Sequence, residues 1–240
     1  RWYLYTTATP GNPRQFDEKQ VTEVSRRVLS TLWNVYSFFV MYANIDDFKP
    51  ETDAFAEPAA ELDKWILSEL HQLVQEVSAA LDEYNPTDAG RKIENYIDGL
   101  SNWYVRRSRR RFWKSENDSD KLSAYNTLYT CLVTLTKLMA PFTPFLAEEL
   151  YRNLVLSAFP DAPESVHLTD YPMVNESLIN RQLSEDNQLA MKVCSMSRSA
   201  RSKAGIKVRQ PLGDVYVTVS GDREKRALDR VAPLVLEELN

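Results

Sequence analysis

Through the first two thirds of the chain, apolar residues return every three or four positions. Val21, Val24, Val28, Leu32, Val35 and Phe39 share one helical face, which predicts a helix from Asp17 to about Tyr42. Asp17 is placed to cap it, Gln20 to reach back to the cap, and Phe16 with Val21 to form a hydrophobic staple. A second stripe, Leu62, Ile66, Leu70, Leu73, Val77 and Leu81, predicts a helix over about 62–84. The stretch 48–61 between them mixes proline and acid with few large apolar residues and reads as a connection.

Asn85-Pro86 is a cap followed by proline in a first turn, where its missing N–H costs nothing, so a third helix starts there and carries on to about residue 114. NDSD at 117–120 breaks the pattern, a fourth helix covers 122–139, and Thr143-Pro144 opens a fifth by the same device. Long helices joined by short breaks become antiparallel neighbours, hence a bundle over 16–159.

After Phe159 the chain turns irregular and proline-rich, and a sixth helix is predicted over about 178–204, stopped by Gly205. Val215, Val217 and Val219 alternate with Tyr216 and Thr218, the pattern of a short strand, and the last residues read as helix again. The predicted fold class is therefore mainly α: an antiparallel helix bundle followed by a small mixed α/β C-terminal module. Residues 1–15 form a joining segment, 16–159 the bundle, and 160–240 a connector, a long helix and the α/β junction module.

Composition changes this picture little. Apolar residues make up 43% of the 240, enough for a substantial core. The two cysteines, Cys131 and Cys194, and the two histidines, His71 and His167, have no metal-ligand spacing, so neither a structural metal nor a disulfide framework is expected. The strongest apolar run, 32–45, is interrupted by Asn34, Ser37 and Asn44 and is shorter than the roughly 20 residues of a membrane crossing. No membrane association is expected, and a reducing cytoplasmic setting fits. The opening RWYLY carries neither a methionine nor a capping signal, as though a longer chain had been cut inside an element.

Charge changes it more. The chain carries a net charge of −5, yet 101–114 (SNWYVRRSRRRFWK) holds five arginines, one lysine and no acid. At about 100° per residue, Ile93, Tyr96, Ile97, Leu100, Trp103 and Tyr104 define a buried side. Asn102, Arg106, Arg109, Arg110 and Trp113 cluster opposite, whereas Arg107 and Arg111 return toward the core, where they need acidic partners from another helix. An outward set of arginines with one tryptophan suits phosphate contact plus stacking on an unpaired base. Lys114 extends that patch. A second acid-free run, 198–209, supplies Arg198, Arg201, Lys203, Lys207 and Arg209 as a further RNA contact or a junction. The competing reading of both runs is a solvated face, or a scaffold that docks an acidic protein partner or another domain.

Four segments are then recognisable: TLWNVYSFFVMYANID (31–46), LDKWILSEL (62–70), LSNWYVRRSRRRFWK (100–114) and MAPFTPFLAEELY (139–151). In order and spacing they resemble the anticodon-binding helical region of isoleucyl-tRNA synthetases, which are class I aminoacyl-tRNA synthetases. RWYLYTTATPGNP resembles the segment that joins the catalytic domain to those helices, and ARSKAGIKVRQPL (200–212) the junction into the C-terminal part. The resemblance implies a parent ligase that uses ATP and Mg²⁺ to charge an isoleucine-accepting tRNA. Its expected partners are that tRNA and the rest of the synthetase, with the chain itself a monomer.

The same resemblance implies that catalysis lies elsewhere. The family's HIGH signature has no counterpart here, and SMSRS (195–199) lacks the first lysine of KMSKS and falls inside the predicted sixth helix. No glycine-rich phosphate loop and no nucleophile beside a base appears, so no catalytic residue and no cofactor is assigned to this stretch.

Overall fold

The computed structural model describes all residues except 10, 14, 51–57, 59, 114–117 and 240. Two compact units emerge, Arg1–Ile179 and Asn180–Asn240.

In the first unit the helices are α1 (Trp2–Thr6), α2 (Glu18–Val24), α3 (Thr31–Ile45), α4 (Glu61–Asp82), α5 (Pro86–Gly99), α6 (Arg106–Trp113), α7 (Ser119–Met139) and α8 (Pro144–Tyr151). Wide π-type turns make α2 and α3 one rod through Ser25–Ser30, and α5 and α6 another through Leu100–Val105. The caps act as the sequence requires at two starts: Asp17 accepts from the Lys19 N–H and Asn85 from the Asp88 N–H. Thr143 makes no such side-chain cap, because its hydroxyl turns back to the Met139 carbonyl. Phe16 is exposed and sits edge-on to Tyr3.

Chain direction follows from which ends meet. The end of the α2–α3 rod and the end of the α5–α6 rod both lie beside the starts of α4 and α7: Asp46 pairs with Lys121, and Arg111 with Asp63. The two rods therefore run against α4 and α7, giving an antiparallel bundle. Its core is made of Val28, Leu32 and Val35, of Leu70, Val74 and Val77, of Ile93 and Ile97, and of Leu128, Leu132 and Leu135, all at most 2% exposed. Each such side chain contributes about 1.5–3 kcal/mol relative to leaving it in water.

The joining segment is more than a tether. Trp2 and Tyr3 are buried, Trp2 packs 5.3 Å from the Phe142 ring, and Arg91 Nε donates to the Thr6 carbonyl at 3.1 Å. Residues 160–179 also belong to the first unit, although their irregular pattern marked a break near 159. Glu148 accepts from Ser165 Oγ and the Val166 N–H, Tyr151 Oη donates to the Pro163 carbonyl, and Val166 joins Ala140, Ala147 and Tyr151 in a buried cluster. Burial of Glu148 disfavours its charge, but the hydrogen bonds from Ser165 and Val166 outweigh this and hold its carboxyl below the usual range.

The second unit pairs α9 (Arg181–Lys203) with α10 (Asp222–Leu239). Ala190, Val193 and Cys194 of α9 and Val231, Val235 and Leu239 of α10 are buried. Arg230 meets Asp186 with both Nε and Nη2, at 3.1 and 2.8 Å. The expected strand at 215–219 is not found: among the described residues there is no strand, so the α/β character of this module is corrected to helix plus irregular chain. An isolated alternating segment gains no ladder without a second strand to satisfy its N–H and C=O groups.

Candidate nucleic-acid interface

The basic stretch lies at the end of the α5–α6 rod, and the π-type turn decides how it is displayed. An unbroken helix would carry the buried stripe from Leu100 and Tyr104 to Arg107 and Arg111. The extra residue in Leu100–Val105 makes Trp103, Tyr104 and Val105 buried in succession, after which the stripe continues through Ser108 and Phe112. Phe112, 5.1 Å from Phe38 and 4.9 Å from Tyr125, fills the core position, and the neighbouring arginines are moved to its flanks.

Asn102, Arg106, Arg109 and Arg110 are exposed, and Trp113 keeps 57% of its surface. Asn102 Nδ2 donates to Asp98 at 2.6 Å, and Arg106 Nε donates to the Asn102 carbonyl at 2.8 Å. The Arg106 and half-buried Arg107 guanidinium groups lie 5.8 and 5.2 Å from the centre of the Trp103 ring. Trp103 thus orients two cations through its π face, a role its place on the buried side did not signal. Among the described residues Arg109 and Arg110 make no ion pair. Lys114 lies outside the described residues.

Arg111 is spent internally. Its Nη1 and Nη2 donate to the two oxygens of Asp63 at 2.6 and 2.8 Å, and Nη2 also lies 2.8 Å from Asp120 Oδ1. Asp63 is fully buried and further accepts from Tyr104 Oη and Ser123 Oγ, both at 2.8 Å. Burial works against the Arg111 charge, yet Asp63 raises its pKa; the Tyr104 hydroxyl is pushed well up by burial first and by Asp63 second. A parallel node lies alongside. Buried Lys121 meets Asp46 at 2.6 Å, and Tyr125 Oη donates to the same carboxylate. Sequence reasoning did not pick out Asp63, but a signal exists: it shares the helical register of Ile66, Leu67, Leu70 and Val74, where an acid must find a cationic or polar partner.

The second basic run divides differently. Lys203, Lys207 and Arg209 are exposed, whereas Arg198 pairs with Glu238 at 2.8 Å. Arg201 is corrected from a surface contact to an internal clamp: it is 5% exposed, and its guanidinium donates to the carbonyls of Val208, Gln210 and Leu239 at 3.2, 2.6 and 3.0 Å. The chain folds back after Gly205 (φ +67°) and brings the Val208 and Gln210 carbonyls to Arg201, while the Leu239 carbonyl comes from the end of α10.

The rod thus carries a one-sided guanidinium and tryptophan display, with its inward arginine neutralised by Asp63. Residues 63–217 match the family model described as the anticodon-binding domain of tRNA ligase, and the chain belongs to that family. The isoleucine–tRNA ligase of Dehalococcoides mccartyi is 64% identical to it, that of Clostridium novyi 46% and that of Thermus thermophilus 45%. Each match covers all of this chain but 24%, 23% and 23% of the relative, so the chain spans about a quarter of the length of these curated relatives. In fold, it is similar to the LeuRS of Agrobacterium radiobacter K84, solved as a ternary complex with tRNA and LeuAMS. The TM-score is 0.52 at 15% identity, over all of this chain and 25% of that one. No helix among the described residues is long and apolar enough to cross a membrane.

Proposed function

We propose that this chain is the part of an isoleucine–tRNA ligase that grips the anticodon arm of an isoleucine-accepting tRNA. The activation of isoleucine with ATP and Mg²⁺ and its transfer belong to the rest of that enzyme. The observation that carries the reading is the division of one arginine run: Arg111 is neutralised inside by Asp63, while Arg109, Arg110 and Trp113 face outward. Guanidinium groups pair with phosphate oxygens in a planar, two-point manner, and an exposed indole offers a stacking surface to an unpaired base. Exposed Lys203, Lys207 and Arg209 of the second unit have the same phosphate-contacting chemistry. Cys131 and Cys194 are buried and form no disulfide, which fits the reducing cytoplasm.

The test is binding of the chain to the isoleucine tRNA and to an unrelated tRNA over a range of salt. The log–log slope is expected to be about −0.7 to −0.9 per phosphate neutralised. Arg109→Ala and Arg110→Ala should each lower its magnitude by about one phosphate's worth. Equal and salt-insensitive binding to both RNAs, or a preference of the same patch for an acidic peptide, overturns the reading.

A further inference from the structure

The Asp63 carboxylate holds the basic rod at two places. Tyr104 lies just before the run of arginines and Arg111 near its end, seven residues or about two turns later, and both donate to Asp63. Ser123 Oγ, from the second turn of α7, fixes the carboxylate from a third direction. A one-residue slip of the rod would turn every outward side chain by about 100°, so two anchor points on either side of 106–110 determine which residues face out. Replacing such a buried pair by apolar side chains is often neutral for stability, so what the carboxylate adds is a single defined arrangement.

We propose that Asp63 is a positioning residue for tRNA binding: by gripping Tyr104 and Arg111 from the start of α4, it sets the rotation of the rod at which Arg106, Arg109, Arg110 and Trp113 are displayed together. This rests on the tRNA-binding reading above. The carboxylate is fully buried, out of reach of a surface ligand, and acts through the helix it holds.

The experiment uses a variant with the site made apolar throughout, Asp63→Leu with Arg111→Met, Tyr104→Phe and Ser123→Ala, so that no buried donor is stranded. Its Tm, its affinity for the isoleucine tRNA and its salt slope are compared with those of the native chain. The expected result is a Tm close to native with affinity about tenfold weaker and a shallower slope, since preorganisation of the face is lost. Native affinity and slope at native Tm would overturn the proposal, because a merely structural role leaves both unmoved. Should the fourfold variant not fold, Tyr104→Phe alone, which loosens one anchor and leaves the ion pair, decides: weaker binding at unchanged Tm supports the proposal, and native binding removes it. Arg109→Ala/Arg110→Ala is the control. If that pair leaves binding unchanged the tRNA-face reading fails; if it weakens binding while the Asp63 and Tyr104 variants do not, only the positioning role fails.

Discussion

Gly90 of α5 faces Thr6 of α1 so closely that a Cβ at position 90 would lie 2.3 Å from Thr6 Cγ2. The Thr6 side chain cannot swing away freely, since it is buried and its hydroxyl donates to the Trp2 carbonyl at 2.9 Å. Alanine is the better helix former by about 1 kcal/mol, yet Gly90→Ala is expected to destabilise the first unit by about 1–3 kcal/mol through overpacking. Adding Thr6→Ser, which removes the obstructing methyl, should recover most of the loss. Thermal unfolding of the two single variants and the double variant checks this, and strict additivity would contradict it.

Neighbouring arginines should behave in opposite ways. Arg111→Ala strands the buried Asp63 carboxylate and is expected to cost about 3–5 kcal/mol. Arg110→Ala, on the outward face, should change stability by no more than about 0.5 kcal/mol. Denaturant titration of both variants measures the contrast.

Trp113 offers the reverse test, because most of its surface is already in water. Trp113→Ala should leave the unfolding midpoint nearly unchanged while reducing tRNA binding by about 1–3 kcal/mol, the worth of one base stacked on an aromatic ring. A large loss of stability with intact tRNA preference would place the indole in the fold instead of the interface.

Within the second unit, Arg201→Met removes the donor shared by the carbonyls of Val208, Gln210 and Leu239. Leaving these acceptors without it should cost about 1–3 kcal/mol. Amide exchange over 206–210 should quicken, whereas Arg209→Ala should leave it as it was.

Acid should loosen the segment before the second unit through His71. Its Nδ1 accepts from the Asn175 N–H at 3.1 Å, and burial holds its pKa below the ordinary 6.5. Because the neutral ring is the one favoured in the fold, the unfolded chain binds the proton more readily between the two pKa values. The contribution is therefore complete above about pH 6.5 and declines as pH falls through that window. His71→Phe should flatten this part of the Tm-against-pH curve, and an unchanged curve would exclude the coupling.

The helices were legible because their signals are local. Period, proline in a first turn and capping side chains place α4, the α5–α6 rod and α7 within a few residues of the expected bounds. The outward side of Asn102, Arg106, Arg109, Arg110 and Trp113 was readable for the same reason. The π-type turn was not, because an extra residue in the rod is stabilised by what packs on either side of it; it passes the core position to Phe112 in place of Arg111. Irregular residues 160–179 carry no period, so their attachment through Glu148, Tyr151 and His71 had no sequence signature.

Taken alone, the sequence determined that the chain is helical, that one rod carries an acid-free run of arginines, and which of them turn outward, since helical period is a local signal and the outward set stays exposed even with the extra residue of the π-type turn. It determined likewise that Arg111 needs an acid, though not which one. Tertiary structure chose Asp63, 48 residues earlier in the chain, turned Arg201 inward onto carbonyls, and left 215–219 without a ladder. Charge pairing and strand pairing depend on which distant segments become neighbours, and only packing of the whole chain decides that.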